Sequence, residues 1–133
     1  MKKKKIISLI IRLFISIILL QTLFYKFTAH PDSIHIFSTL GVEPWGRIGL
    51  GIVELIVALL ILIPSTKLIG ILCSLGIMMG AIFSHFLVIG VNVGNDGGSL
   101  FSLAVFVFLS SLVLLFMYKK DFEGLCKCVF RKN

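Results

Sequence analysis

Four apolar runs constrain the fold of this chain more than any other feature of its sequence. They cover roughly residues 6–25, 48–63, 68–91 and 100–118. A helix that spans a bilayer needs about 20 predominantly apolar residues. Three of the runs reach this length, and the second reaches it only when its flanking residues are counted. The breaks between the runs contain turn-forming residues, so the pattern predicts four transmembrane helices.

The composition supports a membrane protein. Of the 133 residues 58% are hydrophobic and only 14% are charged, and the mean hydropathy is +1.09. Soluble domains average about 45–50% apolar and about 25% charged residues. The runs lack the alternation of barrel strands, and a helix satisfies its own backbone in lipid. We therefore predict an all-α, integral membrane four-helix bundle over residues 1–118, followed by a basic tail over 119–133.

The cationic residues indicate the topology. The first run follows "MKKKK", as in a signal peptide, but no small-x-small cleavage site comes after it, so we interpret it as a retained helix. Eleven of the thirteen Lys and Arg residues fall on one side of a four-span chain, and only Lys26 and Arg47 fall on the other. This positive-inside pattern predicts two cytoplasmic termini. The same placement accounts for the net charge of +7, so nucleic acid is not an expected partner. The basic clusters are instead suited to bind anionic lipid.

The polar residues inside the runs lie at a common depth. Counting 1.5 Å per residue places four of them within roughly 4–11 Å of the outer surface. They are Gln21, Glu54, His85 and Ser102, with Lys26 and Arg47 at the rim above them. A charge inside the bilayer costs about 2.5–3.5 kcal/mol on insertion scales, so it normally has a partner or a function. Two interpretations of Glu54 follow: a polar clamp with His85, Gln21 or Lys26, or a ligand-binding or proton-handling pocket open to the outside.

Glycines mark places where helices or ligands can approach closely. Arg47, Gly51 and Glu54 share one helical face, where the glycine leaves a notch for a helix, a water or a small ligand. The small residues at 76, 80 and 84 have the spacing that is typical of tight helix packing. In the inner half, Arg12 is expected to extend its side chain to the cytoplasm.

The first outer loop predicts a short amphipathic helix at the membrane interface. Asp32 would cap it, and its apolar side would carry Ile34, Phe37 and Leu40. Trp45 is expected to lie at the interface as a belt residue. In the second outer loop, Asp96 is predicted to cap the fourth helix or to close the pocket from above.

The remaining candidates for metal or redox chemistry are sparse. His30 and His35 lack further ligands, so no metal site is predicted there. Cys73 lies inside the third run. Cys126 and Cys128 are ordinary thiols, a lipidation point, or a weak metal or redox site.

Four segments together resemble one known family. They are "QTLFYKF", "GRIGLGIVEL", "MGAIFSHF" and "GNDGGSLF", each at or near the outer end of one span. Their order and spacing resemble the DoxX-like family over roughly residues 10–118. The resemblance implies a small four-helix membrane protein, with Lys26, Glu54 and His85 at the family's recurring polar positions. Some members are associated with redox systems, including a quinone-linked oxidoreductase subunit.

The resemblance and the depth of the polar residues favour a redox-associated membrane subunit that binds a quinone-like or other small ligand. The chain has no flavin or haem signature, so no intrinsic cofactor is expected, and a subunit or accessory is favoured over an independent enzyme. Two alternatives stay open: a non-catalytic assembly helper and a small proton-coupled carrier. The expected surroundings are the bilayer of the bacterial cytoplasmic (inner) membrane, with a membrane or redox protein or a second copy of the chain as a partner.

Overall fold

The computed structural model describes residues 2–94 and 96–131; Asn95 of the predicted turn and Lys132 of the predicted tail lie outside this part. All regular structure in the described residues is helical. The helices are α1 (Lys2–Phe27), α2 (Pro31–Thr39), α3 (Trp45–Leu62), α4 (Lys67–Ser84), α5 (Ser99–Met117) and α6 (Lys119–Phe130). A π-helical turn, His85–Ile89, continues α4.

Four helices of the described chain are long and apolar enough to cross a membrane: α1, α3, α4 with its π-helical turn, and α5. Their bounds lie within a few residues of the predicted runs, which confirms the four-helix prediction. Large apolar side chains cover the outside of the bundle, among them Ile17, Phe24, Leu87 and Phe106. An apolar surface of this extent is typical of a protein that lies in lipid.

The spanning helices form a ring in chain order. Helix α1 packs against α3, α3 against α4, α4 against α5, and α5 returns to α1. One end of the ring holds the start of α1 and the end of α5, and we call it the terminal end. The other end carries α2 and the loop before α5, and we call it the α2 end.

The terminal half of the bundle is closed by close packing. Ile15, Ile61, Ile71 and Leu114 are fully buried there, with 0% of their surface exposed. Gly70 allows α4 to lie against the backbone of α3 at Leu60 and Ile61. The hydroxyl groups of two buried residues, Ser74 and Ser111, lie 3.0 Å apart and join α4 to α5 by a hydrogen bond. These contacts fix the helices at this end of the bundle.

Arg12 is buried and does not extend to the membrane surface as the sequence suggested. Its guanidinium donates to the carbonyls of Ile61 and Leu62, both at 3.2 Å. The backbone carbonyls in the last turn of a helix have no N–H partner within that helix. These two carbonyls belong to the last turn of α3. The cation also lies at the negative end of the α3 dipole. Arg12 therefore caps α3, and the need for donors at that buried end is the reason for its burial.

Helix α2 forms where the amphipathic segment was predicted, with Phe37 buried and the preceding residue His30 as its N-cap. The prediction that Asp32 is the cap was wrong, because the backbone N–H of Asp32 donates to Nδ1 of His30 at 3.3 Å. Proline at the first helical position has no N–H to satisfy, and the helix starts two residues earlier than a cap at Asp32 would place it. Trp45 is 70% exposed at the start of α3.

Candidate functional site

A cavity of about 660 Å³ lies between the four spanning helices in the half nearer the α2 end. Helix α2 contributes Ser33 and Phe37 to its wall, and the loop before α5 contributes Asp96. The volume is within the range of about 300–1,000 Å³ that is common for small-molecule sites. The cavity is therefore large enough for a ligand with a ring and part of a tail.

The inner end of the cavity is apolar, and the end near α2 is polar. Ile18, Met78, Ala104 and Val107 line the inner end. The polar residues of the lining lie one or more helical turns nearer the α2 end; they are Gln21, Thr22, Tyr25, Lys26, His30, Asp32, Ser33, Glu54, Ser84, His85, Asp96 and Ser99. A molecule with a polar head and an apolar body would match this gradient.

Two of the three glycines of α4 open onto the cavity. Gly76 and Gly80 both line it, and a Cβ atom built at either position would meet no heavy atom within 4 Å. Ser84 donates its hydroxyl to the carbonyl of Gly80 within the same helix, at 2.8 Å. The prediction of tight helix packing along these three residues was wrong. The reason is that α3 and α4 make their close contact at Gly70, nearer the terminal end.

Glu54 lies on the α3 side of the cavity with 3% of its surface exposed. Its Oε2 atom is 3.0 Å from Nζ of Lys26 and 3.3 Å from the hydroxyl of Thr22. Both partners are on α1, four residues apart, so they lie on one face of that helix. Among the described residues the Oε1 atom accepts no hydrogen bond. The carboxylate thus has one oxygen engaged with α1 and one that can accept a hydrogen bond from a ligand.

Arg47 positions the end of α1 and takes no part in the cavity wall. Its Nε donates to the carboxylate of Glu43 at 2.8 and 3.0 Å. Its Nη1 donates to the backbone carbonyl of Lys26. Since the carbonyl and the ammonium belong to the same residue, Arg47 helps to hold Lys26 beside Glu54.

The space beside Gly51 is occupied by α1, so it is not available to a ligand. A Cβ built there would lie 2.8 Å from Cε1 of Phe27 and 3.2 Å from Cδ1 of Leu23. The notch that the sequence indicated is therefore filled by side chains of α1. The glycine brings α1 and α3 close enough for the contact between Lys26 and Glu54.

His85 begins the π-helical turn and is 5% exposed, on the α4 side of the cavity. Its Nδ1 atom is 2.8 Å from the carbonyl of Gly90. Because a carbonyl only accepts, Nδ1 donates its proton to that carbonyl, and Nε2 is an acceptor whenever the ring carries no second proton. The ring packs edge-on against Phe101, with centroids 5.6 Å apart. The π-helical turn ends the third span at Gly90.

Asp96 accepts from a backbone N–H group in the first turn of α5, whose N-cap residue is Gly98, and it also lines the cavity. Its carboxylate accepts from the backbone N–H groups of Leu100, Gly98 and Val93 at 3.1, 2.8 and 3.0 Å. Desolvation would raise the pKa of this carboxyl, but the three donors and nearby His85 outweigh it and lower the pKa below its usual value. The loop is therefore organised around an ionised carboxylate.

The structure thus brings four of the seven predicted site residues to one cavity: Gln21, Lys26, Glu54 and His85. Glu54 and His85 make no hydrogen bond to each other in the described chain, and Lys26 is the partner of Glu54. Ser102 is elsewhere, in a shallow depression on the outer face of α5.

Sequence reasoning missed Thr22 and Tyr25 on the cavity wall. The spacing of Thr22 and Lys26 on one helical face was a usable signal for the first of them. Tyr25 lies four residues after Gln21, so the same kind of spacing was a signal for it. Its ring also packs edge-on against that of His30, with centroids 4.7 Å apart.

Comparison with known proteins identifies the part of the chain that carries the site. The model of the DoxX-like family matches residues 10–113, which include Glu54, His85 and nearly all of the four spanning helices. Searches of curated proteins and of solved structures returned no match.

Proposed function

The chain belongs to the DoxX-like family and is an integral membrane protein, and from that premise we propose that it is a redox-associated membrane subunit whose cavity binds a quinone-like ligand. The observation that carries the proposal is the position of Glu54: a buried carboxylate, paired with Lys26, on the wall of a cavity whose inner end is apolar. The redox association rests on the family resemblance.

The polar residues can recognise a quinone ring. Lys26 gives one of its three N–H donors to Glu54, and the others can reach a ligand carbonyl. Once the ring is reduced, its hydroxyl groups can donate to Oε1 of Glu54 or to Nε2 of His85. The apolar inner end supports a ring substituent or an isoprenoid tail.

In this proposal the chain binds the ligand and handles its protons. Reduction of a quinone to a hydroquinone consumes two electrons and two protons. The electrons come from a partner redox protein in the membrane, and Glu54 and His85 hold and transfer protons at the ligand oxygens. The chain is then a subunit or accessory and not an independent enzyme.

The basic residues at the terminal end support a topology with both termini in the cytoplasm. The polar end of the cavity then lies near the outer surface of a bacterial cytoplasmic membrane. Fully buried Ile15, Ile61 and Leu114 close the bundle below it, which favours a binding site over the path that a proton-coupled carrier needs. Uptake into proteoliposomes that depends on Glu54 would instead support the carrier.

A titration with a short-tailed quinone tests the proposal. The purified full chain in lipid nanodiscs is titrated and followed by calorimetry and by thermal shift. Gly80→Leu adds an apolar side chain to the cavity wall at a position where a Cβ atom has open space, and it should abolish binding. Gly49→Leu is the matched control, since Gly49 also has open space but does not line the cavity, and it should bind as wild type does. Glu54→Gln should weaken binding at least several-fold.

A second candidate function, a non-catalytic assembly helper, is supported by the contacts of Lys26, which join α1 to α3 through Glu54 and Arg47. In that case the polar residues only fix the bundle that a partner recognises. Wild-type chain that binds no quinone, together with Glu54→Gln chain that loses both stability and crosslinked partner, would favour the helper over the redox subunit.

A further inference from the structure

Helix α6 is amphipathic, and none of its residues is buried. Phe122, Leu125 and Val129 follow one another at spacings of three and four residues and form one apolar face. Lys120, Lys127 and Arg131 are spaced seven and four and lie on the opposite face. Phe122 is partly covered, but Leu125 is 37% and Val129 57% exposed, so the described chain leaves the part of this face farther from α5 uncovered. The sequence predicted a basic tail here, whose cations suit anionic lipid, and no helix.

The start of α6 is fixed at the terminal end of the bundle. Tyr118 is the single residue between α5 and α6. Its hydroxyl is hydrogen-bonded to that of Ser8 on α1, and the Nζ atom of Lys67 lies 4.2 Å from the centroid of its ring. Because α5 crosses the membrane and ends at Met117, these contacts place α6 at the boundary between lipid and water.

We propose that α6 lies in the plane of the membrane and binds anionic phospholipid. The apolar face enters the boundary of the acyl chains, and the three cations of the opposite face interact with the headgroups. The exposed lysines at positions 2–5 lie at the same end, because Ser8 contacts Tyr118, and they extend the basic surface. The helix and its C-cap Arg131 carry four cations against the two carboxylates of Asp121 and Glu123. This excess of positive charge and the attachment to α5 favour a bilayer surface over a protein as the occupant of this face.

The proposal predicts that α6 docks only on membranes that contain anionic lipid. The test uses the full chain with Cys73, Cys126 and Cys128 replaced by Ser, so that a single reporter cysteine can be introduced. Val129→Cys places the reporter on the apolar face. Gly124→Cys is the matched control, because Gly124 is exposed towards the basic side with open space around it. Each cysteine carries an environment-sensitive fluorophore, and the nanodisc lipids carry a nitroxide quencher on their acyl chains.

In discs of phosphatidylcholine with phosphatidylglycerol, the label at position 129 should shift to shorter wavelength and be quenched, and the label at position 124 should not. In pure phosphatidylcholine both labels should behave as in water. Replacing Lys120, Lys127 and Arg131 by Gln should lower the docked-to-free ratio by about fivefold for each cation at moderate ionic strength. Each variant is checked for its helix content and thermal unfolding, so that a loss of docking is not confused with a loss of fold.

Two results would overturn the proposal. One is a label at position 129 that responds equally in neutral and anionic discs, or in neither. The other is a shift that appears only in discs that hold two copies of the chain, since a second copy would then be the occupant of the apolar face. Discs that hold a single copy separate this outcome from binding to lipid.

Discussion

The Nζ atom of Lys26 lies 3.0 Å from Oε2 of Glu54, and this ion pair joins α1 to α3 at the wall of the cavity. Both side chains are largely buried, at 13% and 4% exposed. An acid inside an apolar run is costly in the bilayer unless it has a partner. The neighbouring Lys26 is that partner and explains how Glu54 is accommodated. The partner lies at the end of the preceding spanning helix, and the contact depends on the close approach of α1 and α3 at Gly51.

Removing one member of this pair should destabilise the chain more than removing both. Lys26→Met leaves the Glu54 carboxylate without its cation, and we expect a loss of about 3 kcal/mol in the free energy of unfolding. Adding Glu54→Leu should restore most of that loss. Reversible unfolding in mixed micelles measures the two single variants and the double variant. Strictly additive effects would mean that the two side chains do not interact.

Two glycines of α4 should respond oppositely to the same substitution. A Cβ at Gly70 would lie 2.7 Å from both Cγ1 and the backbone nitrogen of Ile61, so Gly70→Ala should cost about 1–3 kcal/mol. Gly76→Ala meets open space and should be neutral or gain up to about 1 kcal/mol from helix propensity. Thermal unfolding of the two variants makes the comparison. Equal effects would contradict the assignment of close packing to the terminal half and open space to the cavity.

Arg12→Gln should destabilise the bundle through the end of α3. The variant removes the cation that donates to the carbonyls of Ile61 and Leu62, and the expected cost is about 2–3 kcal/mol. Lys4→Gln removes the same charge from an exposed position of the same helix and should change stability by less than about 0.5 kcal/mol. Denaturation curves in mixed micelles give both values. If Arg12 extended to the membrane surface, the two variants would be alike.

The loop before α5 should lose stability in acid because of Asp96. The pKa of its carboxyl is lowered in the folded chain, so its contribution is complete above the unfolded value of about 4 and is lost as the pH falls through the folded value. Asp96→Asn should therefore differ from wild type at neutral pH and approach it at pH values well below 4. Hydrogen exchange of the amides of Val93, Gly98 and Leu100 over this pH range measures the effect. A difference that is constant with pH would assign the effect to packing and not to the charge.

The sequence predicted the four spanning helices to within a few residues, because helix formation in lipid depends on the length and apolar content of each segment. It also indicated the common depth of Gln21, Glu54 and His85, because the rise of a helix converts residue number into distance. The interfacial helix α2 was foreseen on the same basis. In each case the physical cause acts within one segment of the chain.

The errors had local causes as well as causes in neighbouring segments. Asp32 had the composition of a cap, but Pro31 at the first helical position and the ring of His30 moved the start of α2. The side chain of Arg12 is long enough to extend to the membrane surface, but it donates instead to buried carbonyls at the end of α3. The tail was predicted as basic and suited to anionic lipid, but no helix was predicted in it, although its spacing of apolar and cationic residues is that of the amphipathic helix α6.

Segment by segment, the chain's own residues determine that it crosses a membrane four times and carries polar groups near one end of the bundle, because transfer of each helix into lipid is a local free-energy balance. Which of those groups meet was decided only by the tertiary structure. Glycines at 51 and 76 look alike in sequence, yet Phe27 fills the space beside the first, and the second opens onto the cavity. The difference comes from where each pair of helices packs closely, and that depends on side chains more than twenty residues away along the chain.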